Sequence, residues 1–179
     1  MLSVFDTLLL VVDVQERLFP HMQDKKALVQ SLQSVINGAK VFHLPVIFTE
    51  QAPEKIGKTI LEINSLLGDA ARFEKLTFSC CGQTDFVSKI AALKKKNILL
   101  TGVETHVCVY QTAVDLMKMG FNVHVVVDAV SSRTNFNKEI GLNLMAKAGA
   151  SLTSVETVLC SLLKRAEGHE FKEVLKLIK

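Results

Sequence analysis

The sequence predicts an α/β fold: a three-layer αβα sandwich whose central sheet is mostly parallel and doubly wound. Three observations carry the prediction. Apolar runs such as Leu8-Leu9-Leu10-Val11-Val12 and Ile98-Leu99-Leu100 are continuous, as strands covered on both faces are. Stretches with helical spacing separate those runs. The two patterns alternate along the chain, which is how parallel strands joined by crossover helices read. No repeat, linker or low-complexity segment interrupts them, so residues 1–179 read as one domain.

The first strand, 8–12, ends at Asp13. An irregular turn over 14–19 carries Gln15, Glu16 and Arg17 before Pro20 breaks the chain. Asp24 is placed to cap a long amphipathic helix reaching about His43, with Leu28, Leu32, Val35, Ile36 and Ala39 on its apolar face. The second strand is 44–48, with Pro45 at its start, where a missing N–H is tolerated. Residues 49–68 mix Pro53 and Gly57 with a short apolar pattern, and read as a loop and a short helix. Residues 72–78 are a short strand or an extended loop. Thr84-Asp85 opens a helix that buries Phe86, Val87, Ile90, Ala91 and Leu93. It ends on Lys94-Lys95-Lys96, cations where the helix dipole favours them. A strand over 97–101 is broken by Gly102, and a helix over 107–119 closes at Gly120. The strand 121–127 ends at Asp128, and Ser131-Ser132-Arg133-Thr134 is a polar turn. A helix over 135–148, a short strand over 151–155 and two helices split near Gly168 complete the chain.

Composition narrows the function classes. Hydrophobic residues make up 49% of the chain and the mean hydropathy is +0.29. That is more apolar surface than one small domain hides easily, which favours a homo-oligomer, a dimer or tetramer. The net charge of +3 calls for neither nucleic acid nor an acidic membrane. The run 8–12, between Asp6 and Asp13 with no basic leader, is too short for a signal core or a spanning helix. Cys80, Cys81, Cys108 and Cys160 have neither metal-ligand spacing nor a secreted framework, so a reducing, cytoplasmic compartment is the simpler reading.

The stretch Thr101-Gly102-Val103-Glu104-Thr105-His106-Val107-Cys108-Val109 organises the rest. It places Cys108 in the first turn of a helix after the carboxyl end of a strand, where the helix dipole favours thiolate and where open α/β sheets bind ligands. A small buried apolar residue is the competing reading for Cys108. Asp13 ends another strand at the same sheet edge, and Lys75 lies in an apolar setting. A carboxylate beside a thiol can take its proton, and a lysine between them can hold the carboxylate and favour thiolate. Asp13 as a turn cap and Lys75 as an exposed residue on an apolar stem stay open. His106, two residues from Cys108, does not share its helix face, so a Cys–His dyad is not expected.

Four segments in this order resemble the isochorismatase-like cysteine hydrolases, the family of nicotinamidases, N-carbamoylsarcosine amidase and isochorismatases. They are Leu10-Val11-Val12-Asp13-Val14-Gln15, Lys75 followed by Phe78-Ser79, Gly102 to Val109, and Asp128-Ala129-Val130-Ser131-Ser132-Arg133. Thr49-Glu50-Gln51 and the tail around His169 and Phe171 look closest to the isochorismatase-domain-containing subgroup. The resemblance implies the family's fold and a triad of Asp13 as general base, Lys75 as its cationic partner and Cys108 as nucleophile. It implies an oxyanion hole from the backbone N–H groups of Glu104 and Cys108, aimed by a cis peptide at Val103–Glu104. Phe19, Gln51, Phe78, Thr105 and Arg133 are candidates to line the substrate pocket. Core packing competes for Phe19 and Phe78, and an ion pair within its own turn competes for Arg133.

Departures from the family narrow the expectation. Residues 49–55 contain no histidine where nicotinamidases carry a metal site, so no catalytic metal and no cofactor are expected. Cys108 is kept where ether-cleaving isochorismatases often lack it. The resemblance therefore implies a metal-independent cysteine hydrolase that cleaves a carbon–nitrogen bond of a small amide, carbamoyl or imide compound through a thioester. The alternatives are a vinyl-ether hydrolase with Asp13 as acid, and a non-catalytic oligomeric binding module.

Overall fold

The computed structural model describes residues 2–178. Six strands form one sheet in the order β3-β2-β1-β4-β5-β6, and every neighbouring pair is parallel. The strands are β1 Thr7–Val12, β2 Val46–Gln51, β3 Ala71–Lys75, β4 Asn97–Val103, β5 Asn122–Ser131 and β6 Ser151–Thr153. The helices are α1 Lys25–Val41, α2 Pro53–Ile56, α3 Leu61–Leu67, α4 Thr84–Ala92, α5 Tyr110–Lys118, α6 Asn135–Lys147, α7 Val155–Leu163 and α8 Gly168–Leu177. The expected doubly wound sandwich is thus present, with a sheet that is wholly parallel.

The apolar runs alternate between two cores, because successive strand residues face opposite sides. Leu9, Val11, Leu99 and Val103 pack with Leu32 and Ile36 of α1, Ile63 of α3, Leu159 of α7 and Val174 of α8. Leu8, Leu10, Val12, Ile98 and Leu100 pack with Phe86 and Ile90 of α4, Ala113 and Leu116 of α5 and Met145 of α6. Strand order runs outward in opposite directions from the β1–β4 pair, so the crevice beyond the carboxyl ends of these two strands is where such sheets bind ligands.

Several boundaries differ from the sequence reading. Gly102 does not break β4. It has φ +127°, and a Cβ there would run into the Val12 carbonyl oxygen of β1. Glycine is required for the close approach of the two strands, and pairing continues to Val103. β2 runs on to Gln51 because Glu50 and Gln51 pair with Glu74 and Lys75 of β3. β5 runs past Asp128 to Ser131, with an irregularity opposite Leu100–Gly102. Asp24 does not cap α1 with its side chain. It is left-handed, with φ 49°, and the turn before it is held by the Gln23 N–H on the Ser132 carbonyl. Thr134 and Ser154 do cap, accepting from the Asn137 and Thr157 N–H groups at the starts of α6 and α7.

Candidate active site

The carboxyl ends of β1, β2 and β3 and the turn after β4 deliver polar side chains to the crevice, two of them, Thr49 and Gln51, from β2. Asp13 follows β1 in a left-handed conformation, φ 54°, and is fully buried. Thr49 pairs with Val12 in the register, which sets its hydroxyl beside the carboxylate, donating to Asp13 Oδ1 at 2.8 Å. Lys75, the last residue of β3, donates to Asp13 Oδ2 at 2.6 Å with both side chains fully buried. Its other two N–H bonds go to the carbonyls of Thr77 and Phe78, each at 3.1 Å. The ammonium is therefore fully satisfied, the condition under which a buried charge pair is tolerated.

Cys108 lies in a wide turn of π-helical geometry, Thr105–Val109, that leads directly into α5. The chain enters this turn through Glu104, left-handed at φ 59° and ψ 60°. Among the described residues no peptide bond is cis. The expected cis bond at Val103–Glu104 is therefore corrected to trans, and the left-handed Glu104 makes the change of direction. The Val107 and Val109 N–H groups donate back to the Glu104 carbonyl. Gly141 of α6 allows that helix to press on the turn, since a Cβ there would sit 2.7 Å from the Thr105 carbonyl oxygen.

The electrostatics of Cys108 run opposite to the helix-dipole expectation. Only 3% of the residue is exposed, and its thiol is raised well above the ordinary range. Burial is the largest cause, followed by the Asp13 charge; Lys75 pulls in the other direction. Burial and the Asp13 charge both disfavour the thiolate. A second buried cysteine, Cys80, is pushed up to about 11, by burial first and then by Asp13. Its N–H donates to Thr112 Oγ1 at 3.0 Å.

The five pocket candidates separate. Gln51 is at the centre: Cys108 Sγ lies 3.4 Å from its Oε1. Arg133 is tied to its own turn, with Nε 2.7 Å from Glu104 Oε1. His106 Nδ1 lies 3.4 Å from Glu104 Oε2 and 3.1 Å from Ser132 Oγ, away from any dyad with Cys108. The Glu104 oxygens have the Arg133 and His106 nitrogens at contact distance, yet neither accepts a well-directed hydrogen bond, and the buried Thr105 hydroxyl is also unpartnered. Phe19 sits in a short 3₁₀ turn and packs on the α1-side core. Phe78 is half exposed, and its carbonyl, not its ring, reaches Lys75. Lys75 lines an open hollow of about 360 Å³ together with Ala52, Pro53, Glu54, Lys55, Glu74, Leu76 and Gln83.

Three residues at this centre escaped the sequence reading. Thr49 was legible from the alternation of β2 only once the strand was known to extend beyond Phe48. Gln15, fully buried, holds the Gln51 backbone. Cys80 offered no signal except its place near Lys75. Glu50, where a metal ligand was sought, is buried and accepts from the Thr59 N–H and hydroxyl at 2.6 and 2.8 Å. Among the described residues no three His, Cys, Asp or Glu side chains gather as a metal site, and no helix is long and apolar enough to cross a membrane.

Comparison with known proteins gives the family. The Isochorismatase domain matches residues 7–157. The secreted isochorismatase effector Isc1 of Phytophthora sojae is 37% identical over 177 residues, covering 97% of this chain and 84% of its own. The structure of MAR1 ribonuclease from Caenorhabditis elegans superposes with a TM-score of 0.93 at 35% identity, covering 99% of this chain and 91% of its own. Two YcaC structures also score 0.93. The octameric hydrolase from Escherichia coli is 26% identical over 98% of this chain and 89% of its own. The Pseudomonas aeruginosa protein, with hexane-2,5-diol and covalent acrylamide, is 25% identical over 98% and 90%. The chain belongs to the isochorismatase family and is a hydrolase of the isochorismatase-like α/β fold.

Proposed function

We propose that the protein is a metal-independent cysteine hydrolase acting on the carbon–nitrogen bond of a small amide, carbamoyl or imide compound. The observation that carries this reading is the convergence of Asp13, Lys75 and Cys108 in one buried cluster. A scaffold needs no buried lysine–carboxylate pair beside a thiol, because an apolar trio would be no less stable.

The chemistry follows from the placement of the three side chains. Asp13 takes the Cys108 proton as Sγ bonds to the substrate carbonyl carbon, and the carbonyl oxygen becomes an oxyanion. The Glu104 and Cys108 N–H groups are the proposed backbone donors for it. Collapse breaks the C–N bond, the Asp13 proton leaves with the amine, and a thioester remains. Water then attacks the thioester, giving its proton to Asp13 as the C–S bond breaks. That proton returns to the thiolate. Raising the resting thiol keeps Cys108 quiet until a substrate is in place. The covalent acrylamide on Pseudomonas aeruginosa YcaC supports a nucleophile in that relative.

The ether-cleaving alternative needs Asp13 as a proton donor, yet both its oxygens accept hydrogen bonds from Thr49 and Lys75, the arrangement of a base. The description of the Caenorhabditis elegans neighbour raises RNA as a substrate. Lys75 has spent all three N–H bonds, so it offers no free cation to a phosphodiester. A cytoplasmic homo-oligomer is proposed with this activity. Free thiols at all four cysteines fit a reducing compartment. Exposed Phe136, Ile140 and Leu144 form an i, i+4, i+8 stripe on α6 that a second copy would cover.

The test is ammonia or amine release from a panel of amides, carbamoyl compounds and imides, with Cys108→Ala and an RNA substrate as comparisons. Loss of all turnover in Cys108→Ala is the expected result. Amine release that persists in Cys108→Ala would overturn Cys108 as the nucleophile, and cleavage of RNA alone would replace the reading.

A further inference from the structure

Gln51 and Lys75 are register partners at the last positions of β2 and β3, so both side chains stand on the same side of the sheet. Lys75 serves Asp13; Gln51 serves Cys108. Its Oε1 lies 3.4 Å from Sγ, within reach of the S–H. Its Nε2 donates to nothing among the described residues, and it is not among the buried polar atoms lacking a partner. The free N–H therefore stands in accessible space beside the nucleophile.

The placement of Gln51 is over-determined. The Gln51 N–H donates to Gln15 Oε1 at 2.7 Å, and Gln15 Nε2 returns a bond to the Gln51 carbonyl at 3.0 Å. The same Nε2 donates to the Gly57 carbonyl at 2.6 Å. One buried carboxamide thus clasps both backbone groups of Gln51 and ties the strand end to the loop after α2. Such a clasp costs two buried polar groups unless fully satisfied, and here it is.

We propose that Gln51 is a further catalytic residue and Gln15 its positioning residue. Gln51 Oε1 holds the resting S–H, and Gln51 Nε2 donates to the substrate carbonyl oxygen as it becomes an oxyanion. This inference rests on Cys108 as nucleophile. It adds a side-chain donor to the backbone ones and requires the substrate to present a carbonyl oxygen to Gln51.

Two thiol reagents separate the roles. Addition of a thiolate to acrylamide places negative charge on the amide oxygen as the C–S bond forms. Displacement of iodide from iodoacetamide forms the same kind of bond with no charge on the amide oxygen. Rates at Cys108 are read by peptide mass mapping on the full chain, for the natural sequence, Gln51→Ala, Gln51→Glu and Gln15→Ala, with thermal melting as a check on folding. Loss of one oxyanion donor should lower the acrylamide-to-iodoacetamide rate ratio by at least about tenfold in both Gln51 variants. Gln15→Ala should lower the same ratio by a smaller factor; if it fails to fold, the Gln51 variants decide alone. An unchanged ratio, whether neither rate moves or both fall together, overturns the role of Gln51. Inertness of Cys108 in the natural sequence to both reagents would instead overturn the nucleophile itself.

Discussion

At the residue scale, the site is a problem of charge in a dry place. Lys75 and Asp13 are each tolerated only because the other is there and every N–H of the ammonium has an acceptor. Lys75→Met would leave the Asp13 carboxylate buried with only Thr49 for support. The expected loss is about 3–5 kcal/mol of unfolding free energy, measured by urea titration. That Asp13, Lys75 and Cys108 would lie together was legible from their places at strand ends and the family pattern; their catalytic roles are proposed. The sign of the thiol shift was not, because it depends on burial and on the approach of Asp13, neither of which spacing can show. The same physics silences Cys80, pushed up to about 11. Around pH 9 iodoacetamide should modify the exposed Cys160 first and leave Cys80 untouched, as peptide mapping would show.

At the element scale, the carboxyl ends of the strands carry the precision. Apolar runs located the central strands, while β3 was open between strand and loop, and where each strand ended was set by its neighbours. β4 continues through Gly102 because β1 is close enough to demand a glycine, a requirement that belongs to the pair and not to either sequence alone. Gly102→Ala should cost about 3 kcal/mol or more, combining left-handed strain with a backbone clash, read as a lower urea midpoint. Thr134→Ala, which removes the cap of α6, should cost about 1 kcal/mol with little effect on Cys108, since the cap lies at the exposed start of the helix. Asp24 shows the limit of this reasoning in sequence: a good capping residue in the right place is left-handed because the preceding turn is held by Ser132.

At the scale of the whole molecule, the winding order brings distant residues together. Asp13 and Cys108 are 95 positions apart in sequence, yet β1 and β4 are adjacent at the centre of the sheet. The alternation of strands and helices made a doubly wound sheet legible, and the resemblance put the triad at one edge. The clasp of Gln15 on Gln51 was invisible, because it joins an irregular turn to a strand end whose register only the folded sheet defines. The exposed apolar stripe on α6 predicts self-association. Sedimentation velocity at micromolar concentration should show a species heavier than the 19.7 kDa chain, and a monomer alone would remove the oligomer from the account.

The central claim is that Asp13 and Cys108 are coupled as base and nucleophile. The most direct test is the pH dependence of Cys108 alkylation by iodoacetamide, followed at that residue by peptide mapping, in the natural sequence and in Asp13→Asn. The coupled pair predicts a midpoint above the ordinary thiol value of about 8.5 in the natural sequence. In Asp13→Asn the midpoint should move down, because a charge that raises the thiol is gone while Lys75 still lowers it, and hydrolytic turnover should be lost despite the more reactive thiol. The same midpoint in both proteins, or turnover that survives Asp13→Asn, would contradict the account.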